Sequence, residues 1–153
     1  ILKLFLELFK NSNSINEIYY VKPHPTWSEN KIKSMFDVGE LDSFKFIKGD
    51  FHNHVEKVNL LVSNASSISL EALTKNVPVI VISPSSGIIQ NPIPTEVSNE
   101  LWKLCGNFNQ LKESINYFKN CNMYDLDKDF EFVRKNYFEP ITKKSIKNFL
   151  NLK

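Results

Sequence analysis

Asn59-Leu60-Leu61-Val62-Ser63-Asn64-Ala65-Ser66-Ser67-Ile68-Ser69-Leu70-Glu71-Ala72-Leu73-Thr74-Lys75-Asn76-Val77-Pro78-Val79-Ile80-Val81-Ile82 carries the reading on which the fold class turns. Val58 to Val62 reads as a short strand, and Ser63 to Ser67 as its turn of small residues. Ser67 to Lys75 has helical spacing. Val77 to Ile82 is apolar on both faces, as a central parallel strand must be when helices cover it from above and below. Strand, helix and strand at this rhythm make a βαβ unit.

The same rhythm holds upstream. Leu2, Phe5, Leu6 and Phe9 fall at helical spacing, and Asn11 to Asn16 is a polar linker. Ile18 to Val21 reads as a strand stopped by Pro23 and Pro25. Ser28 caps a helix expected to run to about Phe36. Phe44 to Ile47 reads as the next strand, stopped at Gly49-Asp50, and Phe51 to Lys57 as a short helix. Downstream, Pro84 to Pro94 is a proline-rich loop. Helical patterns follow around Val97–Leu104, Phe108–Phe118, Phe130–Tyr137 and Thr142–Leu150. The expected fold is a three-layer α/β domain with a parallel sheet, a βαβ core over residues 17–83 and a helical tail over 97–152.

Composition excludes several classes. A chain of 153 residues with 42% apolar and 24% charged residues is too apolar to be disordered and has the length of one domain. No apolar run reaches the roughly 18–20 residues of a membrane span. Nineteen Lys and Arg against seventeen Asp and Glu give a net charge of only +2. Arg134 is the sole arginine, which argues against a nucleic-acid partner, since groove and phosphate readers rely on the guanidinium fork. Cys105 and Cys121 cannot build a disulfide scaffold, and they are read as free thiols in a reducing compartment. Ile1 to Phe9 carries Lys3 and Glu7 and has no small-residue cleavage site, so it is not read as a signal peptide. The chain opens mid-pattern without Met and is expected to be an excerpt of a two-domain protein.

Two strand ends carry unusual chemistry. In Lys22-Pro23-His24-Pro25-Thr26 the two prolines restrict the backbone on either side of His24. A ring held over a strand end can donate to a phosphate oxygen or protonate a leaving group near neutral pH; the alternative is a turn that merely stops a strand. In Ser63-Asn64-Ala65-Ser66-Ser67 a strand runs into a helix start, where free N–H groups and hydroxyls favour an anion; the alternative is ordinary capping. Glu71, one turn on, would reach a ribose hydroxyl pair or complement the helix dipole. Lys22, Lys48 and Lys75 stand near element ends. His52 and His54 flank Asn53, but an i, i+2 pair points to different sides of a helix, so no metal is expected there. No Gly-rich phosphate loop and no nucleophile elbow are present. Asp125-Leu126-Asp127 is read as capping and surface charge.

Taken together, the Lys22-Pro23-His24-Pro25 motif, one intervening strand, the Asn59–Leu73 stretch and Val77-Pro78-Val79-Ile80 resemble the C-terminal half of a GT-B glycosyltransferase. The likeness is to bacterial capsule and surface-polysaccharide transferases of the sialyltransferase and polysialyltransferase type, with their HP and paired-serine motifs, and covers residues 17–83. It implies a Rossmann-like α/β/α domain that binds a CMP-, UDP- or CDP-linked sugar donor. His24 would contact the donor phosphate or assist departure of the nucleotide. Ser66 and Ser67 would bind that phosphate, Lys22 would add charge, and Pro25 and Glu71 would lie near the nucleoside. No metal cofactor is implied. The acceptor would be a saccharide or glycolipid. The catalytic base would come from an N-terminal domain that is not part of this chain, so the fragment alone would be inactive.

Three other readings share the motifs: a UDP-sugar 2-epimerase, a CDP-glycerol-type polyol-phosphate transferase, and a non-catalytic α/β interaction module in which both motifs are only turn and cap. The expected location is the cytoplasm. Ile141, Ile146, Phe149 and Leu150, with Lys143, Lys144 and Lys147, would offer a face for peripheral contact with an anionic membrane surface.

Overall fold

The structure is a computed structural model that describes residues 1–10, 18–83, 91–138, 142, 146, 147 and 150. In chain order its elements are α1 (Leu2–Lys10), β1 (Tyr19–Val21), α2 (Glu29–Lys33), β2 (Phe44–Phe46), β3 (Leu61–Ser63), α3 (Ile68–Thr74), β4 (Val79–Ile82), β5 (Trp102–Cys105), α4 (Phe108–Asn120) and α5 (Asp127–Tyr137). Single 3-10 turns occupy Phe51–Asn53, Val55–Lys57 and Met123–Leu126.

The apolar strand at the heart of the sequence argument lies between two others: β4 pairs in parallel with β3 and with β5. Its side chains alternate between two cores. Val79 and Val81 enter one core with Ala72 and Leu73 of α3 and with Phe130 and Val133 of α5. Ile80 enters the other, with Phe5 and Leu8 of α1 and with Leu111, Ile115 and Phe118 of α4. A period of two along a strand with helices on both sides makes three layers, a Rossmann-like α/β architecture. The βαβ reading is correct for both units, since β1 and β2 are also parallel, with Tyr19 opposite Phe44 and Val21 opposite Phe46.

The pairing differs from a single continuous sheet. Among the described residues β1–β2 and β3–β4–β5 form two separate ladders. They are joined by packing, because Tyr19, Val21, Phe44 and Phe46 share one core with Leu60, Val62 and Ile80.

The helix expected around Val97–Leu104 is absent, so the helical tail begins with α4 and α5 rather than at residue 97. Val97, Leu101 and Leu104 do repeat at helical spacing, yet residues 102–105 form strand β5. The cause is tertiary. A buried central strand leaves backbone groups that need partners on both edges. Leu101 accepts from the Val79 N–H at 3.0 Å and Cys105 accepts from the Ser83 N–H at 2.8 Å, one at each end of β4. Helix α4 then returns across the sheet face.

Three smaller differences concern boundaries. α2 stops at Lys33 rather than near Phe36, because the Ser34 hydroxyl donates to the Lys31 carbonyl at 2.9 Å and the next turns tighten to i, i−3 bonds. Residues 51–57 form two 3-10 turns in place of one short helix. The third strand begins at Leu61 and ends at Ser63, shifted toward the turn. Of the expected C-terminal helix only 142, 146, 147 and 150 are described, with helical bonds from the Ile146 N–H to Thr142 and from the Leu150 N–H to Ile146. Ile141, Lys143, Lys144 and Phe149 lie outside the described residues, as do the linker 11–16 and most of the proline-rich loop. No helix among the described residues is long and apolar enough to cross a membrane.

Candidate functional site

A groove of about 490 Å³ opens at the carboxyl ends of β1 and β2, walled by residues 22–25, 27–30 and 46–50. Its volume suits a small organic ligand, for which roughly 300–1,000 Å³ is usual. The first wall is built by the two prolines. Pro25 stands at the second position of a β-turn, the position its fixed φ favours, and the Trp27 N–H closes that turn on the His24 carbonyl at 2.8 Å. Inside the turn, Nδ1 of His24 lies 2.8 Å from the Thr26 hydroxyl and accepts from the Thr26 N–H at 3.3 Å. Nδ1 is therefore an acceptor, and the neutral ring carries its proton on Nε2. Nε2 makes no hydrogen bond among the described residues, which leaves an oriented donor on an exposed ring.

The second wall follows from capping. Ser28 stands in extended conformation, and its Oγ accepts from the Lys31 N–H, which starts α2 and fixes Trp27 and Asn30 beside the turn. The third wall continues the β1–β2 ladder through the Ile47 N–H, which donates to Val21 at 2.9 Å. Gly49 then takes a φ of +86°, a left-handed conformation that a side chain would strain, and the chain turns into Asp50 and the 3-10 segment.

The paired-serine motif lies at the end of β3. Ser63 and Ser69 share a buried hydroxyl–hydroxyl bond of 2.8 Å that ties the strand end to α3. Ser66 and Ser67 are exposed. Ser66 Oγ accepts from the Ile68 N–H at 3.4 Å, and Ser67 starts α3 without using its hydroxyl as a cap. Glu71 pairs with His52, with Nε2 and Oε1 2.5 Å apart. Lys75 is the C-cap of α3.

The structure thus gathers Lys22, His24 and Pro25 into one groove, together with Lys48. Ser66, Ser67 and Glu71 are not part of that wall. The two motifs are linked instead by residues 48–54. His54 Nε2 donates to the Lys48 carbonyl at 2.8 Å, inside the groove's third wall, and His52 reaches across to Glu71 on α3. Both histidines of the His52-Asn53-His54 pattern are thereby engaged as brackets. Trp27 and Asn30 also belong to the wall; their signal in the sequence is an aromatic three residues after a proline-flanked histidine.

Elsewhere, burial pushes the Cys105 thiol above its ordinary pKa, against a weaker opposing effect of its contact with the Ser114 hydroxyl at 3.2 Å. Both cysteines are free thiols. The Tyr117 hydroxyl donates to the Glu100 carboxylate, which raises the tyrosine's pKa. Asp127 sits in the first turn of α5, where a carboxylate complements the dipole. Among the described residues no three His, Cys, Asp or Glu side chains converge as a metal-ligand set. The chain matches no family model, no curated protein and no solved structure.

Proposed function

We propose that this domain is the donor-binding half of a glycosyltransferase, holding the nucleotide of an activated sugar while the sugar passes to a saccharide or glycolipid acceptor. The observation that carries the reading is the state of His24. Its Nδ1 is held by Thr26, so Nε2 is left as a directed donor beside Lys22 and Lys48 in a groove of suitable size.

In such a transfer the bond between the sugar's anomeric carbon and the nucleotide's phosphate oxygen breaks, and negative charge gathers on the departing phosphate. A donor fixed before the reaction begins stabilises that charge without reorganising. Nε2–H of the neutral ring supplies that hydrogen bond. Lys22 and Lys48 add positive charge, while Glu29 in the same wall is occupied by Lys33 at 2.7 Å. Asp50 remains as the opposing charge. The likeness to surface-polysaccharide transferases assigns Ser66 and Ser67 to the same phosphate, and the unused Ser67 hydroxyl is compatible with that role. The base that accepts the acceptor's proton belongs, on this reading, to a second domain.

Calorimetric titration of the chain with CMP, CDP and UDP tests the proposal. At least one is expected to bind, and His24→Ala is expected to weaken it roughly tenfold or more, as loss of a hydrogen bond to a charged group does. No heat with any nucleotide, or equal affinity in His24→Ala, contradicts the reading.

A further inference from the structure

We infer that Trp27 is the stacking platform for the nucleobase, so that the turn 24–27 reads a nucleotide at both ends, phosphate at His24 and base at Trp27. The inference rests on the donor-binding reading above and adds to it a base-reading residue. Three observations carry it. First, His24 and Trp27 are the outer residues of one β-turn closed by a 2.8 Å hydrogen bond, so the two rings project from points held less than about 7 Å apart. A phosphate and a base joined through one pentose need two anchors at a short, fixed spacing, and this turn supplies them.

Second, Trp27 lines the groove and is 39% exposed, although an indole in a folded domain is ordinarily well buried. The ring nevertheless has a partner. Lys31 lies over it with Nζ 4.6 Å from the centroid, a cation–π contact, and the capped start of α2 holds the backbone on its C-terminal side. Lys31 is not part of the groove wall. A flat ring held in place loses little side-chain freedom when a base stacks on it.

Third, Asn30 shares this wall, and its amide makes no hydrogen bond among the described residues. An amide offers a donor and an acceptor side by side, the pairing that a base edge presents. The ligand class is therefore a nucleoside mono- or diphosphate, and a sugar phosphate without a base should bind less well.

Trp102, the other tryptophan, donates from Nε1 to the Val97 carbonyl at 3.3 Å and is away from the groove. Trp102→Phe therefore leaves Trp27 as the only indole, and its emission reports the groove. In that variant CMP, CDP or UDP is expected to quench the emission, while ribose 5-phosphate and inorganic diphosphate at equal concentration leave it unchanged. By calorimetry on the otherwise natural chain, Trp27→Ala is expected to weaken the nucleotide roughly tenfold, the effect of losing one base–aromatic stack, with Trp27→Phe close to the natural affinity. Ribose 5-phosphate binding should be the same in all three.

Should the natural chain bind nucleotide and Trp27→Ala bind it equally well, the stacking role is wrong and the donor-binding reading stands. Should no nucleotide bind the natural chain, both fall. If Trp102→Phe loses its fold, quenching of the natural chain's emission that disappears in Trp27→Phe supports the assignment. Quenching that persists there overturns it.

Discussion

His24 owes its role to neighbours rather than to burial. It is exposed, yet Thr26 holds Nδ1 from two directions and the prolines hold the backbone. Cys105 is the opposite case, a reactive side chain silenced by its surroundings. It is fully buried beside Ser114, and burial raises its pKa above the ordinary 9.0. A group that holds its proton more tightly when folded favours the folded state below its unfolded pKa and loses that contribution as pH rises through the folded one. Stability is therefore expected to fall as pH is raised past 9.0, with a smaller fall in Cys105→Ser, measured as the guanidinium midpoint at pH 8 and pH 10. An equal fall in both chains would remove Cys105 as the cause.

At the scale of elements, the segment Lys48–His54 spans the distance between the two strand-end motifs. One end walls the groove, and the other ties α3 through His52 and Glu71. The His52 side chain is 62% exposed, so the pair contributes less than about 1 kcal/mol to folding. His52→Ala is accordingly expected to leave the melting temperature almost unchanged and yet weaken nucleotide binding, because the wall carrying Lys48 loses its tie to α3. Unchanged affinity by calorimetry would show that the tie has no part in the site. This link was hidden in the sequence. His52 and His54 invite a metal reading because the spacing says nothing of Glu71 nineteen positions on, and Glu71 invites a ribose reading for the same reason. The β4 strand was legible, since Val79 to Ile82 is an unbroken β-branched run that suits a strand covered on both faces. β5 was not, because Trp102–Cys105 becomes a strand only where the edge of β4 needs partners, and a local periodicity cannot register that demand.

For the whole molecule, the three layers followed from the alternation of strand and helix, and the two cores on opposite faces of β4 bear them out. The groove was legible only in part. Pro23, His24 and Pro25 announced one wall, whereas the wall at 46–50 is brought there by parallel pairing of β1 with β2. Ser66 and Ser67 stand at the end of another ladder, so a shared phosphate site requires the ligand to reach from the groove to the start of α3. The measurement that addresses this most directly is amide and histidine nitrogen chemical-shift mapping of the isotope-labelled chain as CMP, CDP or UDP is added. The expected perturbations fall on His24 Nε2 and on the amides of 22–30 and 46–50, and extend to Ser66 and Ser67. Perturbations confined to other surfaces, or a spectrum unmoved at saturating nucleotide, would contradict the assignment of the groove as a donor site.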